Sequence, residues 1–185
     1  MLVSYLAIIG YGKIITATFF GVGKNHELLK YYKSIEFIIG LLFIGSFSIL
    51  YNFLFPINDF YSVIVILLGC IFFISFFLQY SDKKKEIIIV ISITLLASFF
   101  SYYSLSNDDF NYHFKTIANF KNFSIIHDLV LDEKEGRRYA YNSHWLMLTS
   151  VFYIIKFPQT LYTLISLIYL LSLYDFYKTY RRNYN

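Results

Sequence analysis

Two adjacent carboxylates, Asp108 and Asp109, lie just ahead of Tyr112 and His113, and further along the same polar interval Arg137 and Arg138 lie just ahead of Asn142, Ser143 and His144. A carboxylate beside a second carboxylate at a partly desolvated boundary has its pKa pushed upward, toward that of a useful general base. The same pair offers hard oxygen ligands for a divalent cation, Mg²⁺ or Mn²⁺, that would bind substrate phosphates. The planar guanidinium of Arg137 or Arg138 would grip a phosphate through two parallel donors. If the chain continues from Asp109 as a helix, Asp109 and His113 are i,i+4 neighbours, with Asp108 and Tyr112 the parallel pair on the next stripe. Phe114, Ile117, Phe120 and Phe123 then recur every three residues, which predicts a helix whose apolar side dips into lipid headgroups.

The same residues suit plainer roles. An Asp-Asp pair just after an apolar run also fits a solvated helix cap. His113, His127 and His144 lack the regular spacing of zinc ligands. Trp145 reads as an interfacial anchor, and Asp128, Asp132, Glu133 and Glu135 read as a hydrated loop. Asn122-Phe123-Ser124 matches a glycosylation sequon, a weak motif that matters only in a secretory pathway.

Around this interval the chain is depleted in charge: 57% of its 185 residues are hydrophobic and 15% charged, against roughly 25% charged in soluble domains. The apolar runs are about 18–22 residues long, enough to cross a bilayer core of about 30 Å, and they are apolar on all sides. The fold class expected is all-α, a polytopic helical membrane protein embedded in the lipid bilayer, forming one membrane domain over 1–185 with a loop at 104–144. The net charge of +4 comes in short clusters beside the apolar runs, where topology signals belong. It does not point to a nucleic-acid partner. Cys70 lies inside an apolar run and implies no disulfide framework.

Six spans are expected. Leu2 to Phe20 lacks the features of a cleaved signal peptide and is kept as a helix. Lys13 within it is read as snorkelling or facing a neighbouring helix, with an ion pathway as the alternative. Gly21-Val22-Gly23-Lys24 fails as a phosphate loop, because the spacing before Gly23 and the residue after Lys24 are wrong. Ile35 to Phe55, Phe60 to Gln79 and Ile87 to Tyr103 follow, with a tight turn at Pro56-Ile57-Asn58-Asp59 and lysines in the other two connections. The lysine-rich connections are assigned to the cytoplasm, which puts the N-terminus and the polar loop outside. Trp145 to Phe157 and Leu161 to Tyr174 are short. They read as two spans around a hairpin turn at Lys156 and Pro158, or as one span and a re-entrant piece. Two spans leave the basic tail Lys178, Arg181 and Arg182 outside, against the charge rule; one span leaves it inside.

A carboxylate pair just beyond a span followed by Tyr-His resembles the first extracytoplasmic loop of GT-C-type glycosyltransferases. Asp108-x-x-x-Tyr112-His113 and Arg138-x-x-x-Asn142-Ser143-x-Trp145 look more closely like a family of large bacterial envelope membrane proteins thought to share that architecture. The resemblance covers roughly residues 35–175, but its specific part is about ten positions. This chain has Tyr139-Ala140-Tyr141 and His144 where that family more often has Phe-Gly-Phe and a serine.

The resemblance implies Asp108 as the catalytic or metal-binding aspartate, Asp109 as its acidic neighbour, and His113 beside them. It aligns Tyr112, Arg138 and Asn142 with its motif positions; together with Arg137 and His144 these are the substrate-binding residues expected. The donor implied is a polyprenyl-phosphate-linked sugar used in envelope polysaccharide or glycan assembly at the bacterial cytoplasmic (inner) membrane. Such enzymes have more helices than this chain, so an N-terminal fragment or a reduced relative is expected. Two other functions fit the same residues: a polysaccharide polymerase or ligase, and a non-catalytic transporter or assembly subunit with a membrane-protein partner.

Overall fold

The computed structural model describes residues 1–20, 32–79, 83–102, 113–125, 143–154 and 160–184. Among these the chain is helical, with no strand. The helices are α1 (Leu2–Phe20), α2 (Lys33–Leu54), α3 (Asp59–Phe77), α4 (Lys83–Tyr102), α5 (Phe114–Asn122), α6 (Ser143–Phe152) and α7 (Thr160–Tyr184). Leu2–Phe19, Lys33–Leu54 and Asp59–Phe77 are long and apolar enough to cross a membrane. Their outer faces carry Leu42, Phe47, Leu50, Leu67, Ile71 and Ile74, all exposed. A soluble surface rarely carries so large an apolar area, whereas lipid covers it without cost.

The bundle is built on α1, which packs against both α2 and α3. Glycine permits the close approach: a Cβ at Gly12 would meet the Glu36 carbonyl oxygen at 1.8 Å, and one at Gly10 would meet that of Gly69 at 1.9 Å. Small residues at such crossings are how helices associate in lipid, where no hydrophobic force separates protein from solvent. Tyr5 stacks on Phe37, with ring centroids 6.0 Å apart. The turn between α2 and α3 ends at Asn58, whose Oδ1 accepts from the Tyr61 N–H at 2.9 Å, an N-cap of the usual kind.

α4 and α7 pack side by side, and α7 also reaches α2. Asp175 of α7 accepts from the Ser34 backbone N–H and hydroxyl, both at 2.7 Å. α2 has no side-chain cap of its own at Tyr32, so a carboxylate from the far end of the chain satisfies its positive N-terminus. The basic tail of α7 therefore lies at the lysine-rich end of the bundle, the end at which α2 and α4 begin.

α6 is ten residues long, about 15 Å at 1.5 Å per residue. Its described helix stops at Phe152, before the limit at Phe157 that the apolar run suggested. Leu146 through Phe152 are all buried, against α2, α3, α5 and α7. A short helix wrapped in protein is tolerated at membrane depth, and the described part of this run is shorter than a full crossing.

Candidate functional site

Of the candidate site residues, Asp108, Asp109, Tyr112, Arg137, Arg138 and Asn142 lie outside the described residues. So do the i,i+4 pairings expected for Asp108 and Asp109, and the Mg²⁺ or Mn²⁺ ligands among them. His113 is described: it is half-buried, in helical conformation, at the head of α5. His144 falls in the first turn of α6. Trp145 is half-buried against the core rather than fully displayed at a surface. Among the described residues no group of three or more His, Cys, Asp or Glu could hold a metal ion.

What the structure brings together are the two flanks of the polar interval. α5 and α6 pack on each other, and Phe114 stacks on Tyr153 with ring centroids 5.9 Å apart. The apolar period expected for this segment is present, but its face is turned inward. Thr116, Ile117 and Phe120 are buried, and Phe123 is exposed. The stripe meets α6 and the α2–α3 turn instead of lipid headgroups, because a protein surface was there to receive it.

Three contacts dock α5 on that turn. The Ile57 N–H donates to the Phe120 carbonyl at 2.8 Å. Lys121 pairs with Asp59 at 2.5 Å. Asn52, fully buried in α2, directs its amide nitrogen at the carbonyls of Phe55 (3.1 Å), Phe120 and Phe123 (3.2 Å each). Beside it Ser48 and Tyr61 share a hydrogen bond at 3.0 Å. Asn52 thus holds the segment that leads out of the Asp108–His113 stretch, a role invisible in the sequence because its partners are 68 and 71 positions away. Asn52→Leu should cost about 1–3 kcal/mol through the carbonyls left unpaired. It should also speed proteolysis within 113–125 more than within α1–α3. Uniform protection across the chain would show that Asn52 does not hold α5.

The opposite end of the bundle carries a second polar cluster. Lys13 meets Glu36 at 2.8 and 2.9 Å. Lys33 pairs with Glu86. Asp175 reaches Ser34, and its Oδ1 is buried with no hydrogen-bond partner among the described residues. Glu36 and Asp175 are 8% and 3% exposed, so Lys13 is not the single charge set inside the bundle. All of these groups are paired or capping. No family model, curated protein or solved structure matches the chain.

Proposed function

We propose that the chain is a membrane glycosyltransferase of GT-C type, acting in cell-envelope glycan assembly on a polyprenyl-phosphate-linked sugar. The polar interval would face the side opposite the lysine-rich end. The observation that carries this reading is the anchoring of α5. His113, the last residue of the first motif, sits at the head of a helix fixed to the α2–α3 turn, and α6, which opens at Ser143 of the second motif, packs against that helix. Both motifs therefore emerge from elements packed on each other, as a shared site requires.

In this mechanism Asp108 takes the proton of the acceptor hydroxyl as its oxygen bonds to the anomeric carbon. The bond from that carbon to the phosphate oxygen breaks, and its electron pair leaves with the polyprenyl phosphate. Arg137 or Arg138 holds that phosphate and offsets its charge. Asp109 raises the basicity of Asp108 through like-charge repulsion. Asp108→Asn should lower sugar transfer by about 100-fold, as loss of a general base does, while the protein still inserts and accumulates. Transfer of label from a polyprenyl-phosphate sugar at the wild-type rate would remove Asp108 from this role. A polymerase or ligase would instead depend on Arg137, Arg138 and His113 and tolerate the aspartate change.

Transport gains little from the buried charges. Transporters set ionisable groups and broken helices at the midplane. Here the buried charges are each engaged with another helix: Lys13 with Glu36, Lys33 with Glu86, and Asp175 with the Ser34 end of α2.

A further inference from the structure

The fold brings two basic clusters from distant parts of the chain to one end of one helix pair. α4 and α7 run antiparallel. Toward one end the Ser101 and Ser166 hydroxyls are 3.5 Å apart; toward the other, Glu86 lies within electrostatic range of Tyr174. Glu86 and Asp175 are both tied to the start of α2, through Lys33 and Ser34. Lys83, Lys84 and Lys85 immediately precede Glu86, and Arg181 and Arg182 follow Asp175 within two helical turns. All five are exposed.

We propose that these five residues form a binding surface for the headgroups of anionic phospholipids. Beyond the clusters α4 and α7 present apolar side chains, Ile88, Leu95 and Phe99 on one and Leu173 and Phe176 on the other, all exposed. The surface therefore has the order of a phospholipid itself: a cationic rim where headgroup phosphates lie, then an apolar flank for acyl chains. The arginines supply forked donors for phosphate oxygens and the lysines add point charge. Each basic residue at an anionic membrane surface raises binding by a factor of about five. This inference concerns the end of the bundle away from the proposed transfer site and stands without it.

The test uses the full chain in nanodiscs of equal phosphatidylglycerol and phosphatidylcholine, extracted in mild detergent, with retained lipid measured by mass spectrometry. Wild type should retain phosphatidylglycerol in excess of its share of the bilayer. Arg181→Gln/Arg182→Gln should lower that excess by about an order of magnitude, and adding Lys83→Gln, Lys84→Gln and Lys85→Gln should abolish it. The exchange variants Arg181→Lys/Arg182→Lys should keep most of it and show that the variants still fold. High salt, which shortens the screening length to about 3 Å at 1 M, should weaken retention in wild type and leave the glutamine variants unchanged. Equal retention of the two lipids by wild type would overturn the proposal. So would an excess unaffected by the glutamine changes, or changes that release an acidic protein while lipid retention stays constant.

Discussion

Replacing Glu36 with leucine is expected to destabilise the folded chain by about 3–5 kcal/mol, the usual result of stranding one partner of a buried ion pair. Lys13 would keep its place on α1, with its side chain 13% exposed, but lose both carboxylate contacts at 2.8 and 2.9 Å. The damage should spread, because Glu36 is also within electrostatic range of Lys33 and Glu86, the pair that ties α2 to α4. For a chain of this size the loss corresponds to a fall in unfolding temperature of about 10 °C. The informative comparison is Lys13→Met with Glu36→Met in one chain. Removing both charges and leaving apolar volume should recover most of the stability, since a buried pair contributes little beyond a well-packed apolar one. A double variant as unstable as Glu36→Leu would mean that packing, not the stranded charge, sets the loss. Sugar transfer retained by the stable double variant would confine the pair to a structural role.

The positions of the long helices were legible because lipid imposes a pattern that one chain can display by itself. A segment apolar on every side and about 20 residues long has few other solutions. The first run was read as Leu2 to Phe20 and α1 has those bounds; the turn at Pro56 to Asp59 ends α2 and caps α3. The choice between partners was not legible. Glu36 reads as the polar edge of an apolar run, and Asp175 as the first residue past the last one, yet each is buried at a helix contact with a residue far away in sequence. Asn52 shows the same limit, since an amide inside an apolar run has no periodicity to betray its partners. In α5 the period was read correctly and the covering surface was not: the spacing of Ile117 and Phe120 marks an apolar face but does not say whether lipid or protein meets it. For the candidate site, the structure adds the anchoring of His113 and the contact of α5 with α6. Asp108, Asp109, Arg137 and Arg138 stand on their sequence pattern, outside the described residues.

Gly12→Leu should be at least as damaging as the loss of a core contact, about 3 kcal/mol or more, because it forces side-chain volume into a space already filled by backbone. The first added carbon would lie 1.8 Å from the Glu36 carbonyl oxygen and 2.6 Å from its carbonyl carbon. Neither atom can rotate aside as a side chain would, so α1 must move away from α2. Residue 13 moves with it, and the Lys13–Glu36 pair that closes this contact should open. Gly12→Ala carries the same first carbon and should produce the same displacement in milder form. Ser75→Ala, on an exposed stretch of α3, should stay within about 0.5 kcal/mol of wild type. Carbodiimide coupling, which joins a lysine directly to a carboxylate, reports the displacement independently of unfolding. Wild type should yield a Lys13–Glu36 link on peptide mapping, and both Gly12 variants should lose it while Ser75→Ala keeps it. A Gly12→Leu protein with wild-type stability and an intact link would show that α1 and α2 do not meet at this glycine, and the placement of every charge built on that contact would have to be redrawn.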